Sequence, residues 1–359
     1  MAKSSGGAYS RMPVAGEHYP ADLAGLRAWF PTDDACLNYL DWLRWPGGFA
    51  CPHCGGMDAG KQADGVYRCH DCRKKVSVIS GTIFHKTRVP LTVWFEAVWL
   101  LTSDKGGGVT AAHLHRVLPI ASYQTAWSML GKLRSAMTTM DHLPLSGFVE
   151  VDETFIGGPR EGTGGRGAEG KVLVAGAIEI KPDGWGRARM SVIPDASANS
   201  LGRFITANIA AGSTVITDGW RPYGRALRGY GYIHHPVVVS ATSQPAHIAL
   251  PGVHRLFALV KQMIGGTYYG AVKPEHLDEY LDEFVFRFNR RTSESRGLVF
   301  MRLLQKAVGA PPVSYAELVR VPTPKNIHPT GAPGPHTKPG TLNLPPLDYP
   351  WRQATTLGI

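Results

Sequence analysis

Two aspartates lie in apolar stretches of the chain where an acidic side chain is unusual. Asp152 falls within FVEVDETFIGG, and Asp218 ends the short run STVITDGW. A carboxylate in a buried strand is unfavourable unless it binds a cation or is otherwise paired. Two such acids on neighbouring strands can bind a divalent ion, so the sequence predicts a metal site with Asp152 and Asp218 as ligands. For Asp218, a turn or N-cap role is the alternative.

The first strand also offers a candidate for a third ligand of this site. Side chains of successive residues in a strand alternate between the two faces of the sheet. Glu150 therefore shares the face of Asp152, whereas Glu153 points to the opposite face. Glu150 is a possible third acid at this metal site.

Four cysteines form a second group with metal-ligand spacing. They occur as CPHC, with Cys51 and Cys54, and CHDC, with Cys69 and Cys72. Each CxxC turn can direct two thiolates at one ion, and a hairpin through GVYRC brings the pairs together as a tetrahedral Zn²⁺ site. Disulfides are the alternative, but nothing in the sequence indicates an oxidising compartment. Because four thiolates leave no open coordination position, we expect a structural zinc.

The elements that must position the two aspartates are short and well separated. FVEVDETFIGG, KVLVAGAIEI and GRARMSVIPD each predict a strand bounded by Gly, Pro or Asp. SANSLGRFITANIA predicts a helix, and STVITDGW predicts a short buried strand. The order β-β-β-α-β is the first part of a ribonuclease-H-like fold.

Helical patterns flank the cysteines. Thr32 can cap a helix in TDDACLNYLDWLRWPGG, whose apolar face includes Cys36, so we expect this fifth cysteine in the core. Further on, Ala111–Leu118 and a second helix from about Tyr123 to Met137 resemble a helix-turn-helix. The second helix would offer four polar or basic residues to DNA: Gln124, Thr125, Lys132 and Arg134. A plain helical hairpin between two domains is the alternative.

These patterns predict a multidomain α+β protein. The last part of the chain, from about Pro311, contains eleven of the 27 prolines with little periodicity, which indicates a disordered tail. The predicted segments are a flexible N-terminus (1–29), a helix plus zinc ribbon (30–80), a helical DNA-binding or linker region (81–146), an α/β ribonuclease-H-like domain (147–308) and the Pro-rich C-terminal tail (309–359).

The charge balance favours a polyanionic partner. Lys and Arg number 38 against 28 Asp and Glu, which gives a formal net charge of +10. Such a chain attracts nucleic acid and gains from release of its condensed counterions. We find no apolar run near the roughly 20 residues of a membrane span and no apolar signal-peptide core at the start. We therefore expect a cytoplasmic protein with no membrane partner.

The motifs together resemble the DDE-type insertion-sequence transposases, in the branch with an N-terminal zinc ribbon. The resemblance rests on CPHC and CHDC, VEVDETFIGG, VITDGW and HRLFALVKQMIGGTYYGAVKPEHLDEYLDEFVFRFNRR, and it runs from about Phe30 to about Val308. Many members have a Glu seven residues before a Lys on the helix after the second Asp. This chain has His254 there, seven before Lys261, and the branch includes members with His. The resemblance thus implies His254 as the third ligand, with Glu150 as the rival.

The resemblance implies a transposase that cuts DNA and joins the freed ends to target DNA. Catalytic Mg²⁺ or Mn²⁺ would bind Asp152, Asp218 and His254, and an imidazole suits Mn²⁺ better than Mg²⁺. No acid occurs from Gly219 to Pro274, so Arg255 and Lys261 are expected to face DNA. Implied partners are transposon inverted-repeat ends, target DNA and further copies of the chain, at the nucleoid of a prokaryotic cell. The alternatives are an inactive DNA-binding derivative and a simple metal-dependent nuclease.

Overall fold

The structure, a computed structural model, describes residues 13–62, 65–103, 107–138, 143–157, 171–237 and 249–320. The chain divides into two compact units. The N-terminal unit combines residues up to Met140 with Arg290–Arg320, and the sheet unit comprises Asp141–Asn289. Within the described ranges, no helix has both the length and the apolar character that crossing a membrane requires.

The N-terminal unit opens with two helices, α1 (Leu23–Trp29) and α2 (Asp33–Arg44). The predicted cap Thr32 accepts a hydrogen bond from Ala35 N at 3.3 Å. Cys36 lies fully buried on the inner face of α2, as its position in the pattern predicted.

Helix α1 lies in the segment that the sequence assigned to a flexible N-terminus, residues 1–29. Asp22 caps the helix through a hydrogen bond from Gly25 N, and Leu26 is buried. A helix of seven residues with one buried position gives no periodic signal, which is why the sequence did not predict it. Residues 1–12 lie outside the described part of the chain.

The cysteine segment folds as a small antiparallel sheet. Its strands, in spatial order, are β1 (Ala59–Lys61), β2 (Val66–Cys69) and β3 (Lys75–Ser77). Phe49 and Val76 form its core together with two of the cysteines. So few buried side chains stabilise a sheet of this size only weakly, and we therefore expect its stability to depend on a bound metal.

Three helices follow the ribbon: α3 (Leu91–Ser103), α4 (Ala111–Val117) and α5 (Tyr123–Thr138). Thr110 caps α4 by accepting a hydrogen bond from His113 N at 3.1 Å. The helices α4 and α5 pack against each other across a short turn. This arrangement is the predicted helix-turn-helix-like pair.

The sheet unit is a five-stranded mixed sheet with helices on both faces. Its strands are β4 (Phe148–Ile156), β5 (Val172–Lys181), β6 (Gly184–Val192), β7 (Thr214–Thr217) and β8 (Ile233–Pro236). The spatial order is β6-β5-β4-β7-β8. The first three strands form an antiparallel meander, whereas β7 pairs in parallel with β4 and β8. The predicted β-β-β-α-β order is confirmed, and the unit is consistent with a ribonuclease-H-like domain.

Four helices cover the two faces of this sheet. They are α6 (Ala198–Asn208), α7 (Arg221–Ala226), α8 (Pro251–Gln262) and α9 (Leu277–Phe288). Helices α6 and α7 share one core with Val149 and Val151 of β4. Helices α8 and α9 share the other core with Val174 and Ile178 of β5.

A glycine allows α8 to approach the sheet closely. Gly176 of β5 is paired with Asp152 of β4. A Cβ added at Gly176 would lie 2.5 Å from Cε1 of Phe257 on α8, a distance that side chains do not tolerate. The absence of a side chain at Gly176 therefore brings α8 close to the part of the sheet that carries Asp152.

The chain returns to the N-terminal unit after the sheet unit. Helix α10 (Arg296–Ala307) packs on α2, α3 and α5, and α11 (Tyr315–Val319) packs on α5. The buried side chain of Leu318 sits over Gly131, where an added Cβ would lie 2.9 Å from it.

The two C-terminal helices correct the predicted segment boundaries. The sequence assigned residues up to 308 to the ribonuclease-H-like domain, whereas Arg290–Arg320 group with the N-terminal unit. It assigned residues from 309 to a disordered tail, whereas α11 is capped by Ser314 and contributes a buried leucine. Contacts between residues so distant in the chain leave no local pattern in the sequence. Residues 321–359, the rest of the predicted tail, lie outside the described ranges.

Candidate metal centres and nucleic-acid surface

The four cysteines of the CxxC pairs form a compact cluster. Their sulfur atoms all lie within 4.8 Å of one another, with 3.7 Å between Cys51 and Cys72 and 3.6 Å between Cys54 and Cys69. A tetrahedral ion with metal–sulfur distances of about 2.3 Å separates its ligands by about 3.8 Å. The separations are far longer than the roughly 2 Å of a disulfide bond. The cluster therefore fits a structural Zn²⁺.

Two turns present these sulfurs. Gly55 N donates a hydrogen bond to Cys51 O at 2.8 Å, which closes the first CxxC turn. The residue after each pair adopts a positive φ, 77° at Gly55 and 61° at Arg73. Glycine adopts this conformation readily, whereas an arginine is strained there. The two turns thus repeat one geometry, although only one of them has the glycine that favours it.

Asp152 lies on the face of β4 that α8 covers, and its side chain is 13% exposed. Its Oδ1 accepts a hydrogen bond from Glu153 N at 2.8 Å. The pKa of Asp152 is raised to about 7, chiefly by burial and in addition by the charges of neighbouring acids, Asp218 among them. A bound cation would therefore stabilise the ionised form of the Asp152 carboxyl group.

Asp218 follows the last residue of β7. Glu150 of β4 pairs in parallel with Ile216 of β7, two residues before Asp218, and the charge of Asp218 acts on the carboxyl group of Asp152, so the two aspartates lie close together where β7 ends. Asp218 Oδ1 accepts a hydrogen bond from Trp220 N at 2.9 Å. The turn that the sequence gave as an alternative therefore exists, and the carboxylate also lies near Asp152.

His254 is in the first turn of α8 and reaches the same place from the helix side. Its Nε2 lies 3.5 Å from Oδ2 of Asp152, and its side chain is 32% exposed. Among the described residues, the four cysteines alone gather three or more possible ligand atoms within 4.8 Å. The ligand atoms of Asp152, Asp218 and His254 are farther apart than those of the cysteines, and they would move closer together around a bound ion.

Lys261 lies two helical turns beyond His254 and on the same side of α8. Its ammonium donates a hydrogen bond to Thr154 Oγ1 at 2.8 Å. Thr154 follows Asp152 by two residues on β4 and so shares its face. Burial lowers the pKa of Lys261, as does the charge of Lys171, although Asp152 raises it. The sequence did not identify Thr154, but strand alternation from Asp152 could have found it.

Glu150 makes a different contact from the one that the sequence considered. It is fully buried, and its Oε2 accepts a hydrogen bond from Val253 N at 2.9 Å. Val253 is the third residue of α8, whose own N-cap, Leu250, has no side chain that could accept this bond. Glu150 thus satisfies a free N–H in the first turn of the helix that carries His254. Glu153 points to the opposite face and accepts a hydrogen bond from Tyr223 at 2.7 Å.

The predicted DNA-contacting residues of α5 differ in exposure. Gln124 is exposed, and Thr125 and Lys132 are partly buried. Arg134 is 2% exposed, which corrects its assignment to a DNA-facing surface. It lies four residues after Leu130 and three before Met137, both buried, so helical spacing places it on the inner face.

Cations of the acid-free stretch from Gly219 to Pro274 are exposed at the surface of the sheet unit. Arg221, Arg225 and Arg228 are exposed in and after α7, and Arg255 and Lys261 are exposed on α8. Five exposed cations, four on the helices α7 and α8 and one just after α7, form a surface of the charge that a nucleic-acid backbone attracts.

Comparison with known proteins finds a family match in each of the two units. Residues 31–75 match the transposase zinc-ribbon domain, and residues 144–289 match the ISXO2-like transposase domain. A protein of Halobacterium salinarum, named as an uncharacterized protein in transposable element ISH50, is 29% identical over 218 residues, which cover 54% of this chain and 70% of that protein. The chain therefore carries a transposase zinc-ribbon domain followed by an ISXO2-like transposase domain, as in the DDE-type insertion-sequence transposases with an N-terminal zinc ribbon that it resembles.

Proposed function

We propose that this transposase cuts DNA strands at the ends of an insertion sequence and transfers them to target DNA in a metal-dependent reaction. The observation that supports this most is the approach of His254 to Asp152 beside Asp218, on a surface whose flanking helices are basic. These side chains come from a strand, a strand end and a helix. Packed elements of this kind can hold the site in place during the reaction.

The chemistry of the donor set fits a divalent ion. Two carboxylates and an imidazole suit Mn²⁺ well, whereas Mg²⁺ prefers oxygen ligands alone. When bound, such ions stabilise the attacking and leaving oxygens of a phosphoryl transfer. Asp152 and Asp218 would hold such an ion through carboxylate oxygens, and His254 would hold it through a ring nitrogen that must be unprotonated.

Lys261 has a separate role in this proposal. Its ammonium lies on the same side of α8 as His254 and is anchored to Thr154. From there it contacts a phosphate of the bound strand and positions the backbone at the ligands. Exposed Arg255 adds a further contact to the DNA backbone.

Glu150 is a positioning residue in this proposal. Its buried carboxylate accepts the Val253 N–H, so one of its oxygens is already engaged at the start of α8. It thereby fixes the helix turn that carries His254. If Glu150 were instead the third ligand, its variants would lose metal affinity while His254 variants kept it.

The N-terminal unit recognises the ends of the element in this proposal. The ribbon holds a structural Zn²⁺, and the helices α4 and α5 contact the inverted-repeat DNA through Gln124, Thr125 and Lys132. Strand transfer joins two ends at one target, so the reaction requires further copies of the chain. We therefore expect the active form to be a homo-oligomer.

One experiment tests this function against its alternatives. The purified protein is incubated with Mn²⁺, a duplex carrying the inverted repeat of its own element and a target plasmid. Cleaved and joined products support the proposal, cleavage without joining indicates a simple nuclease, and binding alone indicates an inactive DNA-binding derivative. Asp152→Asn should abolish both products, while Asp183→Asn, at an exposed turn, should leave them unchanged.

A further inference from the structure

A cleft of about 520 Å³ lies in the N-terminal unit, and none of the residues that line it belongs to either candidate metal centre. One wall is the face of α5 that carries Gln124, Thr125, Ser128 and Lys132, and the opposite wall is the segment that precedes α3, with Lys86 and Arg88. Tyr315 of α11 also lines the cleft, and its ring lies 6.1 Å from that of Trp127 on α5. Three of the residues predicted to contact DNA, Gln124, Thr125 and Lys132, thus line this recess.

The lining of the cleft is strongly biased in charge. It contains three cations, Lys86, Arg88 and Lys132, and no acidic side chain. Lys132 is partly buried on α5, and this burial lowers its pKa. Three like charges around one recess repel one another, so an anion between them would relieve the repulsion.

Neutral hydrogen-bond donors accompany these cations. Thr125 and Ser128 contribute hydroxyls to the α5 wall, and Gln124 contributes an amide. The opposite wall is held in place, because Thr87 Oγ1 accepts hydrogen bonds from Trp94 Nε1 at 2.9 Å and from Val89 N at 3.1 Å. Cations and hydroxyls on two fixed walls are the groups that bind phosphate oxygens in proteins.

We infer that this cleft binds a phosphate group, held between Lys86 and Arg88 on one wall and Lys132, Thr125 and Ser128 on the other. The phosphate comes from the DNA backbone, a part of the inference that rests on the proposed function. A volume of this size accepts a phosphate with its sugar but not a duplex. The contacts of Thr125 and Lys132 therefore add affinity and orientation, and sequence readout by the N-terminal unit is left to its other contacts with DNA.

The test uses the full chain and three variants. Lys132→Gln and Arg88→Gln remove a cation from each wall, and Arg302→Gln removes an exposed cation of α10 that does not line the cleft. Binding to two fluorescein-labelled duplexes, one with the terminal repeat and one scrambled, is measured by anisotropy at several salt concentrations. Melting temperatures in phosphate and in chloride of equal ionic strength form the second arm.

We expect the two cleft variants to lose affinity for both duplexes by the same factor. The slope of log K against log salt should become shallower by about 0.9 for each lost phosphate contact, and Arg302→Gln should keep the wild-type slope. A phosphate-specific rise in melting temperature that both cleft variants lose would support the phosphate site and identify free phosphate as a ligand. Unchanged slopes together with an unchanged phosphate response would overturn the inference. If the wild-type chain binds neither duplex, DNA binding itself fails, and the phosphate arm still decides the cleft.

Discussion

His254 Nε2 lies 3.5 Å from Oδ2 of Asp152. Its neighbour on the same helix, Val253, donates a backbone hydrogen bond to Glu150, which lies two residues before Asp152 on β4. Two side chains of one strand thus fix both the start of α8 and the ring that it carries. A helix start and a ring that contact one strand in this way can keep their orientation when no ion is bound.

The ribbon should lose its metal and its fold when a cysteine ligand is changed. Cys51→Ser or Cys69→Ser should release zinc, because the ribbon buries few apolar side chains and depends on the metal. Zinc content by atomic absorption and circular dichroism of the full chain measure this. Cys36→Ala is the matched control, since this buried cysteine lies outside the cluster. Variants of Cys51 that retain zinc would exclude the four-thiolate site.

Asp152→Asn should stabilise the metal-free protein at pH 8. An acid whose pKa rises from 3.8 unfolded to about 7 folded destabilises the fold once pH exceeds the unfolded value. The penalty is absent below about pH 4, grows up to pH 7 and is then constant, at most about 4 kcal/mol. The gain in melting temperature should therefore shrink towards acidic pH.

Asp195→Asn is the control for the melting measurement, because its effect on stability should have the opposite sign. Hydrogen bonds from Ser197 and Ser200 lower the pKa of Asp195, so its ionised form stabilises the fold above the unfolded pKa. Its replacement should lower the melting temperature at neutral pH, with less effect as pH falls. Equal behaviour of the two variants across pH would contradict the electrostatic origin of the effect.

Mn²⁺ should raise the melting temperature of the wild-type chain but not of Asp152→Asn.

Gly176→Ala should separate α8 from the sheet at the metal site. The added Cβ would collide with Phe257, three residues from His254, and the helix must shift to relieve this contact. We expect a loss of about 1–3 kcal/mol in stability and a weaker affinity for Mn²⁺ by calorimetry. Gly224→Ala is the control, because its added Cβ meets nothing within 4 Å. Wild-type metal affinity in Gly176→Ala would show that the close approach is unimportant.

Leu318→Ala should destabilise the N-terminal unit, although this residue lies near the end of the described chain. Leu318 is 4% exposed and packs over Gly131 of α5, whereas the neighbouring Val319 is 46% exposed. We expect a loss of about 2 kcal/mol on Leu318→Ala and little change on Val319→Ala. Urea denaturation measures both. Equal stability of the two variants would mean that α11 does not contribute to the core.

The sequence predicted the elements whose signals are local. The CxxC pairs, the strands around Asp152 and Asp218 and the helix cap Thr32 each depend on residues close together in the chain. The buried Arg134 also had a local signal, since Leu130 and Met137 mark the inner face of its helix. The charge of Arg134 suggested an exposed position, whereas the helical spacing from Leu130 and Met137 correctly indicates a buried one.

Other features depend on contacts between distant residues. The packing of Leu318 over Gly131 joins segments that no periodicity relates, and so does the approach of Phe257 to Gly176. The hydrogen bond from Val253 N to Glu150 gives that acid a structural role that composition does not distinguish from metal binding. These contacts become visible only when the fold brings the elements together.

The rate of strand cleavage in Mn²⁺, measured as a function of pH for His254 and Glu150 variants, tests the proposed metal site most directly. We expect His254→Ala to lose nearly all cleavage and Glu150→Gln to retain it, since glutamine can still accept the Val253 N–H. His254→Glu should regain activity, prefer Mg²⁺ more than the wild-type chain does, and lose activity at a lower pH, because a free Glu has a pKa of about 4.3 and a free His about 6.5. Normal cleavage by His254→Ala together with a stably folded but inactive Glu150→Gln would contradict His254 as the third ligand.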